Sequence, residues 1–154
     1  MRFEHLLQVT DPGNPRIAPM SRSELWRGLL VRVESPQRFE LGPDRCEARV
    51  GESQEERVRS IHFGSLRFED RVRLEPEQRI VFEPQPHEGA APVHLTITLE
   101  EPAPGALFLR FAYSAEGALS AEDKAVQGYR EQAWLEHDRD MLRTLREWQR
   151  LGSL

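Results

Sequence analysis

The 154 residues contain one cysteine, Cys46, so an intrachain disulfide and a CxxC metal or redox motif are both excluded. No apolar run approaches the ~18 residues of a membrane span, and the opening MRFEHLLQV lacks the apolar core of a signal peptide. Lysine is nearly missing too. Arginine carries almost all the positive charge and is interleaved with glutamate in EERVRS and RFEDRVR, a pattern that predicts a solvated, mixed-charge surface. The formal net charge of −5 leaves no basic footprint for nucleic acid. The five histidines show no HxH, HExxH or HxxxH spacing, no GxSxG elbow exists, and no glycine-rich phosphate loop follows a strand. No metal, cofactor, nucleic acid or membrane insertion is expected, and the expected location is cytoplasmic.

What is present reads as one α+β domain spanning 1–154, a length able to bury its own core. RFEHLLQV (2–9) predicts a first strand, ended by the turn cluster TDPGNP. Ser21 with Glu24 three residues on is a capping-box signature for a helix through LWRGLLVRV, and PQRFELGPD predicts a second short helical turn. From about 45 to 114 the apolar period is two. Phe68, Asp70, Val72 and Leu74 share a face, as do Val93, Leu95, Ile97 and Leu99, and again Leu107, Leu109, Phe111 and Tyr113. Joints such as PQPHEGAAP and EPAPG predict an antiparallel meander whose one apolar face needs a cover.

The cover comes last. Ser120 predicts an N-cap, and residues 121 to about 151 lack proline, enough for a helix roughly 45 Å long. At about 100° per residue, Val126, Tyr129, Ala133, His137, Asp140, Thr144, Trp148 and Leu151 share one broad side. The fold expected is therefore a curved antiparallel sheet of about seven strands wrapped around a long C-terminal helix, with two short helices after the first strand.

Polar residues on these apolar faces are the candidates for chemistry. His137, Asp140 and Thr144 are spaced i, i+3 and i, i+4, so carboxylate and imidazole can touch; such a pair either transfers protons or is a satisfied polar pair at the helix rim. Asp70 needs a partner, and Arg57 or Arg59 on the preceding strand can reach it; the alternative is an anchor for a ligand. His5 alternates with Phe3 and Leu7 and points inward, as a core residue or a site residue. Phe82, Leu95, Ile97, Phe111, Tyr113, Tyr129, Ala133 and Met141 read as core, part of which lines a cavity if one exists.

The segments FEHLLQVTDPGNP, LWRGLLVRVESPQRF, EDRVRL and YREQAWLEHDRDMLRTLRE together resemble the AtaL-like family of the START-like (SRPBCC) superfamily. The similarity runs over nearly the whole chain in the same segment order, although Thr10 stands where an asparagine is expected. It implies a helix-grip fold around an apolar cavity and does not settle an activity, because one fold hosts many roles. The first functional reading is binding of a small apolar or amphiphilic molecule between sheet and terminal helix. The second is a cyclase- or isomerase-type enzyme, with His137 and Asp140 moving a proton and Tyr113 or Tyr129 polarising a carbonyl. The third is an interaction module with a filled core, whose partner face carries Trp26 or Trp134. A homodimer is left open.

Overall fold

The computed structural model describes residues 1–86 and 91–154. Seven strands form a single antiparallel sheet: β1 (Arg2–Gln8), β2 (Arg45–Val50), β3 (Glu56–Phe63), β4 (Leu66–Glu75), β5 (Arg79–Pro84), β6 (His94–Ala103) and β7 (Ala106–Ser114). Their order is β1-β7-β6-β5-β4-β3-β2. Strands β2 to β7 thus make a meander of sequential neighbours, and β1 closes onto the last strand. Helix α1 (Arg22–Glu34) and a 3-10 turn (Pro36–Arg38) carry the chain from one sheet edge to the other. Helix α2 (Ala121–Arg150) crosses the concave face. This is the α+β helix-grip arrangement expected. The joint PQPHEGAAP, with His87, falls partly outside the described residues.

Local chemistry accounts for these boundaries. The capping box forms as read: Ser21 Oγ accepts from Glu24 N at 3.0 Å, and Glu24 Oε1 accepts from Ser21 N at 3.0 Å. Ser120 Oγ accepts from Asp123 N at 3.0 Å and starts α2. Thr10, the departure from the expected asparagine, is buried and joins two segments. Its hydroxyl donates to Gly105 O at 2.5 Å and accepts from Leu107 N at 2.9 Å, tying the end of β1 to the β6–β7 hairpin. Gly105 turns that hairpin at φ +78°, a conformation that costs glycine nothing.

Period-two alternation sends Leu107, Leu109, Phe111 and Tyr113 of β7 inward, beside Leu95, Ile97 and Leu99 of β6. The outer face carries arginine–glutamate pairs such as Arg73–Glu83 and Arg110–Glu100. Exposed pairs of this kind contribute roughly 0–1 kcal/mol each, so the inner face carries the stability. Against it lie Leu25, Leu29 and Val33 of α1 and Met141, Leu142 and Leu145 of α2. At Gly28 the two helices approach so closely that a Cβ there would sit 2.7 Å from Leu145 Cδ1. No helix among the described residues is long and apolar enough to cross a membrane.

Candidate functional site

The inner face departs from a plain apolar core at α2. Asp138 is fully buried, 0% exposed, in a row with Trp134, Met141 and Leu145. Three elements send donors to it. Arg32 Nη1 of α1 reaches Oδ1 at 2.7 Å, while His5 Nε2 of β1 and Tyr113 Oη of β7 each reach Oδ2 at 2.7 Å. Burial alone would raise this carboxyl, but the charge of Arg32 and the hydrogen bonds from His5, Tyr113 and Arg32 outweigh it and hold Asp138 below its ordinary value. An ionised carboxylate only accepts, so His5 Nε2 bears the hydrogen in this contact. Burial is the largest influence on the Arg32 guanidinium and pulls it down, but the charge of Asp138 and the hydrogen-bonding neighbours together outweigh it and leave it above its ordinary value. Burial drives the Tyr113 hydroxyl upward as well, so it stays protonated and donates.

A second buried pair flanks the first. Asp70 of β4 stands directly opposite Arg59 of β3 and is held bidentately, Nε to Oδ1 at 2.8 Å and Nη2 to Oδ2 at 2.6 Å. Arg59 Nη1 also donates to Val33 O at 2.9 Å near the end of α1, and its guanidinium lies 5.1 Å from the centre of the Phe82 ring. The pairing expected for Asp70 is therefore present, with Arg59 rather than Arg57; Arg57 goes to Glu34 instead.

Between these pairs an open cleft of about 260 Å³ reaches the surface. Its walls are mostly apolar, from Pro36, Ile61, Phe63, Phe82, Leu95 and Trp134, and its polar groups belong to Arg32, Arg59, Asp70, Tyr113 and His137. Trp134 stacks on Tyr113 with centroids 4.4 Å apart and planes 4° from parallel. His137 turns Nδ1 toward Arg32 Nη2 at 3.5 Å. Burial and the neighbouring Arg32 charge push its imidazole down to about 4, so it is neutral at pH 7.

Of the residues singled out from sequence, Asp70, Phe82, Leu95, Tyr113 and His137 line this cleft. His5 lies beside it, spent on Asp138 and stacked on Phe111 at 4.8 Å. Ile97, Phe111 and Met141 are fully buried in the solid part of the core. Tyr129 and Ala133 require correction: Tyr129 is 79% exposed and Ala133 is exposed as well. The 30-residue helix, about 45 Å long, overreaches strands of ten residues or fewer, so its first half meets solvent. The face chosen on α2 was also rotated by roughly a quarter turn from the buried one.

That rotation breaks the expected acid–base pair. Among the described residues no hydrogen bond joins His137 to Asp140. Asp140 is buried beside Arg143 at 3.6 Å, and Thr144, half-buried, does not line the cleft. Trp26 is core, and Trp134, half-buried, stacks on Tyr113 in the cleft wall. Cys46 is buried on β2, and burial pushes its thiol up, away from nucleophilic use.

The two residues that sequence reasoning missed are Asp138 and Arg32. Both carried a signal. Asp138 is i+4 from Trp134, i−3 from Met141 and i−7 from Leu145; Arg32 is i+7 from Leu25 and i+3 from Leu29. Each is a charge on the midline of an apolar stripe.

The fold is shared with solved structures at low sequence identity. The aromatase/cyclase Zhui from a Streptomyces species matches with a TM-score of 0.70 at 12% identity, over 96% of this chain and 94% of that one. The di-domain aromatase/cyclase StfQ of the steffimycin biosynthetic pathway gives 0.72 at 13%, covering 98% of this chain and 52% of the longer protein. The Aha1 dimer from Colwellia psychrerythraea gives 0.61 at 12%, with 94% and 96% covered. No curated protein matches the sequence. A family model does match, that of AtaL, acetylaranotin biosynthesis cluster protein L, over residues 7–152. With a match that long, running from β1 to the end of α2, the chain belongs to the AtaL family.

Proposed function

We propose that the cleft between sheet and α2 binds a small amphiphilic molecule bearing a flat apolar ring. The observation that carries this is the composition of its walls: aromatic and aliphatic surfaces close around a few polar groups that are already fixed in place. Arg32 and Tyr113 are immobilised by Asp138, and Arg59 by Asp70, so none of them needs ordering when a ligand arrives. The ring packs against the Trp134–Tyr113 stack and Phe82. A polar end meets the rim lined by Arg32 and the neutral His137. Phe63, 46% exposed at the mouth, supplies apolar surface on entry. The family's namesake in a biosynthesis cluster and the aromatase/cyclase neighbours support a ligand of this size and kind.

Catalysis on that ligand is the weaker reading. Asp138 already accepts from three donors, His137 has no hydrogen-bonded carboxylate among the described residues, and Tyr113 already donates to Asp138. Native mass spectrometry and Trp134 fluorescence against a panel of phenols, aryl acids and fused-ring ketones test the proposal. The expected result is a one-to-one adduct that quenches fluorescence in the native chain and is lost in Leu95→Trp, which fills the cleft. A panel giving no adduct, or equal binding by the filled variant, overturns it.

A further inference from the structure

Away from the cleft, Arg139, Arg143, Arg146 and Arg150 succeed one another along α2 at spacings of four, three and four. That places them on one side of the helix, flanking the buried stripe. The last three, with Arg16 from the loop between β1 and α1, line a groove of about 620 Å³. Glu147 is its one carboxylate among the described residues. Four arginines thus border one groove in a chain whose net charge is −5.

Dipole complementation explains only part of this cluster. Arginines in the last turn of a helix offset its negative end, but the effect fades within that turn. It does not reach Arg143, and Arg16 is on no helix at all. Internal neutralisation is equally incomplete. Arg150 is bonded to Glu147, and Arg143 meets Asp140 only at 3.6 Å. Arg146 has a backbone carbonyl, Val9 O, as its partner, and burial holds it below its ordinary value, with no carboxylate paired to it among the described residues. The Arg16 guanidinium has no hydrogen bond or ion pair among the described residues; only its backbone amide is engaged, by Asn14 Oδ1 at 3.0 Å.

The groove is also braced. Gln149 Nε2 donates to Pro19 O at 2.7 Å, and Arg146 fastens the other end of the loop at Val9. Turn bonds from Asn14 N to Asp11 O and from Ile17 N to Asn14 O shape the segment between. None of these ties occupies Arg16 or Arg143. Guanidinium forks match the oxygens of phosphate and carboxylate groups, and several around one groove suit a ligand with more than one anionic centre.

We propose that this groove is a second binding site, taking a free phosphorylated small molecule with two adjacent phosphate groups. It is separate from the cleft and does not depend on what the cleft holds. Titration calorimetry of inorganic pyrophosphate into the full chain, at about 50 mM salt to limit screening, tests it. The expected result is saturable one-to-one binding that weakens at least about tenfold in Arg16→Gln/Arg143→Gln, the loss of two charge-assisted contacts. Both side chains lie outside the core, so circular dichroism and the melting temperature of the variant should match those of the native chain. No saturation at millimolar pyrophosphate overturns the proposal, as does undiminished affinity in the folded double variant. Co-sedimentation with anionic phospholipid vesicles, without binding of free pyrophosphate, overturns it in favour of a membrane surface.

Discussion

Replacing Asp138 by asparagine perturbs the most connected buried group of the site. The carboxylate is 0% exposed and accepts hydrogen bonds from Arg32, His5 and Tyr113, each at 2.7 Å. Asparagine keeps the shape but removes the charge and turns one acceptor into a donor facing other donors. Arg32 is then left as a buried cation without its counter-charge. Breaking a buried pair in this way costs roughly 3–5 kcal/mol, a large share of the ~5–15 kcal/mol that holds a domain together. At about 2–4 °C per kcal/mol for a chain of this size, the melting temperature should fall by roughly 6–20 °C. Urea unfolding at pH 7, followed by circular dichroism, measures it directly. A second comparison isolates the charge. Asp138→Leu strands Arg32, whereas Asp138→Leu with Arg32→Met removes the stranded cation, so the double variant should be more stable than the single one. A cost below about 1 kcal/mol for Asp138→Asn, or a double variant no more stable than Asp138→Leu, refutes the account of an ion-paired anchor.

Acid sensitivity follows from the same region. His137 sits at about 4 in the folded chain against an ordinary 6.5, so between those values the unfolded chain holds the proton more tightly. Stability should therefore fall as pH drops from 6.5 to 4, by about 3 kcal/mol over the whole interval, and His137→Phe should flatten that slope in pH-dependent urea midpoints. Asp138 acts lower: its folded value lies below the ordinary 3.8, so its contribution is whole above about 3.8 and is lost as pH falls further, a loss that Asp138→Asn should abolish. Thr10→Ala removes both bonds to the β6–β7 hairpin and strands Leu107 N in the interior, an expected loss of about 1–3 kcal/mol by calorimetry. Gly28→Val drives a branched side chain into the fully buried Leu145 and should cost about 1–3 kcal/mol; an unchanged melting temperature there would mean that α1 and α2 can separate freely.

Much of the architecture was legible one residue at a time, because its causes are local. Alternation along β7 assigned Leu107, Leu109, Phe111 and Tyr113 to the core, since a strand's side chains leave the sheet on opposite faces in turn. Ser21 with Glu24, and Ser120 with Asp123, marked both helix starts, since a cap is made by neighbours in sequence. The buried position of Asp70 on β4 demanded a cation on the adjacent strand, and register then chose Arg59.

Where contacts cross the chain, tertiary structure alone decided. The apolar residues of α2 lie on several sides of the helix, so its buried face was set by which side met the sheet and α1. That choice exposed Tyr129 and enclosed Asp138. The three donors to Asp138 lie 25, 106 and 133 residues away, on strand β7, helix α1 and the edge strand β1 beside β7. Composition and periodicity determined the elements, their order and the inner faces of the strands. The position of a charged group inside was settled only once partners from distant segments could repay its loss of water.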